Sequence, residues 1–478
     1  MDRGEFPGYE FEARGPGHGP RPVASHDSLR QLRYEPQHAQ PSPRSTVLTA
    51  GSGVFAIMRG RNWLMGLAVP ILAAIVVGIA AVVVAGGGGG AGAAPSALAA
   101  GFPPARLAGA DFTGPGTQAR VVLDAVAASA ATEVAAGSAG GGPAVWASSD
   151  GGSDWNRAAL AGPAALTQAG TGQLTAIAHG PAGWLAVGTT RAGAGGPLVA
   201  ASPDARSWTV AGTLAGLSGT GVVAAAVAAD QAGYVIVGHQ AAGAGGAATA
   251  VAWYAPGLAG WSRAEVAASS GADGVMMNAV TVTPHGFAAV GAAGSQPAAW
   301  LSATGRAWRR VSLPEPAGAA RAALEYVAAN GAGIVAAGTE FTASGASRPF
   351  AEASANGGAT WTAAQLPVPA IGPGTGTTVT ALTAAGGGFT AAGTYVTRSG
   401  PEVVLWTLSP GTAVTNGAAW AAVTPQGVGL AGTAAQNALT GLTAAGATLT
   451  GVGFTAGVGS SGTPGAQQPT LWQSPIRY

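Results

Sequence analysis

Residues 184–188 read WLAVG, and six other places in the chain read nearly the same: EVAAG (133–137), YVIVG (234–238), FAAVG (287–291), IVAAG (334–338), FTAAG (389–393) and LTGVG (449–453). Their terminal glycines, Gly137, Gly188, Gly238, Gly291, Gly338, Gly393 and Gly453, stand 47 to 60 residues apart. About ten residues before each run comes another apolar run: LDAV, LTAI, AAAV, MNAV, LEYV, VTAL and LTGL. After the glycine a Gly/Ser/Ala loop leads to a third run, such as AVWAS, LVAAS, AAWLS, FAEAS or VVLWT. A turn and a tryptophan then open a fourth, as in WTVAG, WRRVS and WTAAQ. These runs are short, joined by tight turns and free of helical periodicity. Four strands in about 50 residues, repeated seven times, predict an all-β fold, a seven-bladed β-propeller.

Composition agrees. Of 478 residues 80 are glycine, 48% are apolar and only 9% are charged. Blades packed against one another can be apolar on both sides, and Ala and Gly let them approach closely near the axis. No lysine is present, every Lys/Arg position being arginine, and a net charge of +1 argues against a nucleic-acid partner, which requires a concentrated basic surface. The absence of cysteine excludes disulfides, thiolate metal sites and cysteine nucleophiles. Repeat seven ends in PTLWQSPIRY (469–478) without a fourth strand, whereas PARLAGADF (104–112) precedes repeat one unassigned. The early segment is therefore expected to supply the outer strand of the last blade, with Leu107 near the place Trp308 holds in its own repeat. An open sheet edge would otherwise remain.

The turn between the third and fourth strands of repeat one reads SSDGGSDW (148–155), and repeat five has SANGGATW (354–361). Ser148, Asp150, Gly152 and Trp155, and likewise Ser354, Asn356, Gly358 and Trp361, resemble the Asp box, S-x-D-x-G-x-x-W, of the sialidase-like (BNR-repeat) propeller family. Shorter forms are SPDARSW (202–208) and SATGRAW (302–308). The carboxylate or amide oxygen accepts turn amides, as in an Asx-turn, glycine supplies an unusual backbone angle, and the tryptophan packs beneath the hairpin. The box reads as a folding device.

Sialidases of that family hold a substrate carboxylate with three arginines and cleave with a Tyr/Glu pair and an acid/base Asp. Arg191, Arg348 and Arg398 follow the second strands of their repeats, and Glu325 adjoins Tyr326. Neighbours on a strand point to opposite faces, so Glu325 and Tyr326 do not form one pair. The Arg-Ile-Pro signature is absent, since 104–107 read PARL. His179, His239 and His285 occupy non-equivalent places and predict no metal site. The reading therefore assigns no catalytic residue, cofactor or metal and leans against an enzyme.

One column differs from its apolar surroundings. The second letter of the first runs is Asp124, Thr175, Ala225, Asn278, Glu325, Thr380 and Thr440. Propeller symmetry places it near one mouth of the central channel. The six polar members are candidate ligand-binding residues for a sugar, peptide or cation, although threonine also suits strands and water-lined channels. An acid near the axis needs a partner or solvent.

Residues 63–85, WLMGLAVPILAAIVVGIAAVVVA, carry no charge. At roughly 1.5 Å per residue they span the roughly 30 Å hydrocarbon layer, and they are longer than a signal-peptide core. Arg44, Arg59 and Arg61 precede them and no basic residue follows until Arg106, so the N-terminus is expected in the cytoplasm. The expected organisation is a disordered cytoplasmic tail (1–62), a transmembrane helix (63–85), a Gly/Ala-rich linker (86–102) and an extracytoplasmic propeller (103–478). That describes a single-pass protein of the bacterial plasma membrane, binding or scaffolding an envelope protein or glycan. The alternatives are a sensory ectodomain and a sialidase-like glycoside hydrolase.

Overall fold

The structure, a computed structural model, describes residues 106–107, 109–110 and 121–476, except 192–194, 212–216, 218–220, 242–246, 267–273, 369–375, 398–399, 424–434 and 459–463. The expected tail, membrane segment and linker lie outside the described residues, among which no helix is long and apolar enough to cross a membrane.

The described strands form seven sheets, one per repeat as the spacing predicts, antiparallel except for short parallel strands on the outer edges of three. In blade 1 the strands, from the axis outward, are Val121–Ser129, Thr132–Ala139, Gly142–Ser148 and Asp154–Arg157. The inner strands of blades 2 to 7 are Gly172–Gly180, Val222–Asp230, Val275–Thr283, Arg321–Asn330, Thr377–Ala385 and Ala435–Ala445. Both faces of each blade are apolar, and alternation sends neighbouring residues to opposite sides. Thus Val134 and Ala136 pack toward blade 2, whereas Ala135 packs toward blade 7. The described core is seven such clusters, one between each pair of consecutive blades. The cluster joining the first and last blades contains Leu123, Trp146, Trp155, Val452 and Leu471.

The ring closes as expected. Arg106–Leu107 pairs antiparallel with the last strand, Pro464–Pro475, with Arg106 opposite Gln473 and Leu107 opposite Trp472. The chain then runs on as Gly109–Ala110, parallel to the outer strand of blade 1. The same step recurs where Ala159–Ala161 joins the outer strand of blade 2 and Glu265–Val266 that of blade 4. Side chains reinforce the junction. Thr450 Oγ1 donates to Glu133 Oε1 at 3.1 Å, and Gln473 Nε2 donates to the Gly151 carbonyl at 2.6 Å.

Every inner strand carries a bulge. In blade 1 the ladder passes from Leu123–Gly137 to Ala125–Ala136, leaving Asp124 without a cross-strand partner. The skipped residues of the other blades are Thr175, Ala225, Asn278, Glu325, Thr380 and Thr440. The polar column of the sequence is the column of bulged residues. The repeated glycine lies opposite, paired with the residue just before each bulge. A β-carbon on Gly137 would stand 1.9 Å from the Val122 carbonyl oxygen, and the corresponding distances are 2.0, 1.8, 2.0, 1.9, 2.3 and 1.9 Å at Gly188, Gly238, Gly291, Gly338, Gly393 and Gly453. The bulge pushes a carbonyl into space that only glycine leaves open.

Candidate functional site

The turns after the third strands of blades 1 and 5 share one hydrogen-bond scheme, and those of blades 2 and 4 share part of it. Ser148 Oγ donates to Asp150 Oδ1 at 2.6 Å and accepts the Gly152 amide at 2.9 Å. Asp150 Oδ1 accepts the amides of Ser153 and Asp154, and Trp155 Nε1 donates to the Gly152 carbonyl at 3.0 Å. In blade 5, Ser354, Asn356, Gly358 and Trp361 repeat the scheme, with Asn356 Oδ1 accepting the Thr360 amide at 2.9 Å. Trp208 and Trp308 make the same 3.0 Å bond to a carbonyl three residues earlier. These bonds hold Asp150 and Asp204 below the ordinary carboxylate range. In each, Oδ1 is spent on its own turn. The groups stabilise hairpins and converge on no common point.

The bulge column lies at or next to the middle of each inner strand, as with Asp124 in Val121–Ser129, Glu325 in Arg321–Asn330 and Thr440 in Ala435–Ala445. It therefore rings the axis partway along, rather than at the strand starts that symmetry predicts. Two of its side chains reach the next blade. Asn278 Nδ2 donates to the Leu324 carbonyl of blade 5 at 3.0 Å, and Thr440 Oγ1 to the Leu123 carbonyl of blade 1 at 2.6 Å. Glu325 Oε2 accepts Thr339 Oγ1 at 3.2 Å. Thr175 Oγ1, Asn278 Oδ1, Thr380 Oγ1 and Asp124 Oδ2 are buried without a partner. Asp124 and Glu325 keep partial exposure while protein surrounds them. Desolvation raises both carboxyls to about 7, and the Arg191 guanidinium partly offsets this for Asp124. Tyr326 lies within electrostatic reach of both acids, and burial with those two charges pushes its hydroxyl far up.

The three arginines of the sequence reading do not form a described cluster. Arg348 Nη2 sits 2.6 Å from Glu340 Oε1, so its charge is spent on a buried carboxylate. Arg191 is exposed, and Arg398 lies outside the described residues. His239 is buried, with its basicity lowered by burial, and His179 stands edge-on to Trp184 at 4.7 Å. Among the described residues no group of three His, Asp or Glu is placed to hold a metal ion. The sequence reading missed Glu352. It is buried on the blade 5 face that carries Phe350, hence toward blade 4, with both oxygens unpartnered and its carboxyl pushed up to about 8.

The sequence matches no protein-family model and no curated protein. Among solved structures the propeller is similar to a protein of unknown function from Dyadobacter fermentans DSM 18053, at 12% identity and a TM-score of 0.42, covering 79% of this chain and all of that one. It is also similar to the phage phi92 endosialidase, at 11% identity and a TM-score of 0.40, covering 79% and 69%. A Trypanosoma rangeli sialidase in complex with sialic acid matches at 12% identity and a TM-score of 0.37, covering 74% of this chain and 54% of that one. These likenesses concern the fold.

Proposed function

We propose that this chain is a membrane-anchored binding or scaffold module whose extracytoplasmic propeller engages an envelope protein or glycan at its axial channel. In this reading the Ser148–Trp155 and Ser354–Trp361 turns are structural Asp boxes of the sialidase-like propeller type, and residues 63–85 are the anchor. The observation that carries the reading is the placement of charge. In a chain with so few charged residues, two inner strands carry acids at their bulges, Asp124 and Glu325, and the exposed Arg191 acts on Asp124. A concave surface with a few convergent polar groups is the usual form of a recognition site.

The test is recovery of cross-linked partners from native envelopes by the full-length protein and by its Arg191→Ala variant. Arg191 is exposed, so the variant should melt with the wild type while partner recovery falls at least several-fold. Equal recovery would remove this site from the account. A phosphatase reporter after Tyr478 should be active only if the propeller is exported, and a soluble fragment beginning near Ala91 would mean that the anchor is cleaved.

A further inference from the structure

In two blades the bulged side chain performs one task. Asn278 and Thr440 donate to the carbonyls of Leu324 and Leu123, and each of those residues immediately precedes the bulge of the next blade. An inner strand presents its free edge to the channel, so each donor closes an edge carbonyl of its neighbour. By register, the equivalent carbonyls facing Asp124 and Glu325 belong to Leu174 and Val379. A carboxylate has no hydrogen to give, whereas a carboxylic acid has one. Asp124 Oδ2 is buried without a hydrogen-bond partner, an arrangement that penalises the charged form. Glu325 Oε2 is already filled by Thr339 Oγ1, which itself accepts the Val379 amide at 3.4 Å. That chain places Glu325 beside Val379 and leaves Oε1 as the oxygen to carry a proton.

We propose that Asp124 and Glu325 carry protons in the closed propeller and donate to the carbonyls of Leu174 and Val379, so that the ring of inner-strand bulges is a pH-sensitive latch. Asn278, Thr440, Asp124 and Glu325 then tie blade 4 to 5, 7 to 1, 1 to 2 and 5 to 6. The first two ties hold at every pH. The other two release when the acids ionise, freeing an edge carbonyl and setting two negative charges around the lumen.

The surroundings do little to keep these acids ionised. Strands packed on Val121–Ser129 offer Glu133 and, at the far end of its strand, His179. Those packed on Arg321–Asn330 offer Glu340, whose charge Arg348 neutralises. Arg321 stacks on Phe341, with its guanidinium 4.2 Å from the ring centre. Arg191 is the cation acting on Asp124, and Tyr326 adds only a neutral hydroxyl near both acids. The direction follows from desolvation: both carboxyls lie at about 7, against ordinary values of 3.8 and 4.5. Latch stability is therefore full below pH about 4 and is lost as pH rises toward about 7.

The test uses the full chain and its Asp124→Asn/Glu325→Gln variant, which keeps shape and donors but cannot ionise. At pH 4.5 the two proteins should melt together, and at pH 8 the variant should melt several degrees higher. At pH 6 the wild type should show infrared carboxylic-acid absorption in excess of the variant's, which keeps that of Glu352. A melting difference that is the same at both pH values would overturn the latch. If the double variant fails to fold, the wild-type band decides alone, read against the single variants: loss of its Asp124 and Glu325 components near pH 4 would overturn the proposal, and loss near pH 7 would uphold it. The test involves no ligand, so its outcome is separate from that of the binding reading.

Discussion

In blade 1 a single hydroxyl and a single carboxylate organise the turn after the third strand, and their roles can be separated. Ser148 is buried and accepts the Gly152 amide. Ser148→Ala orphans that amide and should cost about 1–3 kcal/mol in urea unfolding. Asp150→Asn should cost far less, because Asn356 performs the same task with an amide oxygen. The pH dependence differs, however. Asp150 is held below its ordinary range, so the wild type loses this turn's stabilisation as pH falls through that range, and the Asn variant does not. Glu352 behaves in the opposite sense. Its carboxyl is raised from 4.5 to about 8, so its stability term is full below pH about 4.5 and declines as pH rises toward about 8. Glu352→Gln should match the wild type in melting temperature at pH 4 and exceed it at pH 8.5. A lower melting temperature at pH 8.5 would show that the carboxylate has a partner.

The element that repeats is a pair of strands: an inner strand with a bulge and a second strand with a glycine opposite it. Both halves were legible in the sequence, the glycine as the last letter of WLAVG and its relatives and the polar residue as the second letter of LTAI and its relatives. Their connection was not, because a bulge is a property of register and no residue type announces it. The short parallel strands Ala159–Ala161 and Glu265–Val266 were illegible for a related reason: two or three residues carry no periodicity. Nor does spacing reveal that Arg348 faces Glu340, since that contact arises from cross-strand pairing. The device makes a sharp prediction. Gly338→Ala would set a β-carbon 1.9 Å from the Ala323 carbonyl oxygen. The inner strand would have to move, at a cost of about 1–3 kcal/mol or more. Gly331, with open space around its missing β-carbon, is the control, and Gly331→Ala should be nearly neutral. Equal losses at the two sites in thermal unfolding would mean that the bulge is not rigid.

On the scale of the whole molecule, seven blades enclose an axis only if the first strand and the last meet. Three lines of observation converge there: the ladder between Arg106–Leu107 and the final strand, the shared core of Leu123, Val452 and Leu471, and the side-chain bonds from Thr440, Thr450 and Gln473 to blade 1. The closure was foreseen because repeat seven lacks a fourth strand, and an unpaired edge there would invite association. The chain contains no cysteine, so a pair introduced across this seam reports on nothing else. Cross-strand partners lie about 4.5–5.5 Å apart between α-carbons, within disulfide range. The most direct measurement is therefore oxidation of an Arg106→Cys/Gln473→Cys protein, followed by proteolysis and mass spectrometry of the linked peptides. The account predicts a near-quantitative intramolecular disulfide joining residues 106 and 473 and a raised melting temperature, whereas two free thiols, or a link only between separate molecules, would contradict it.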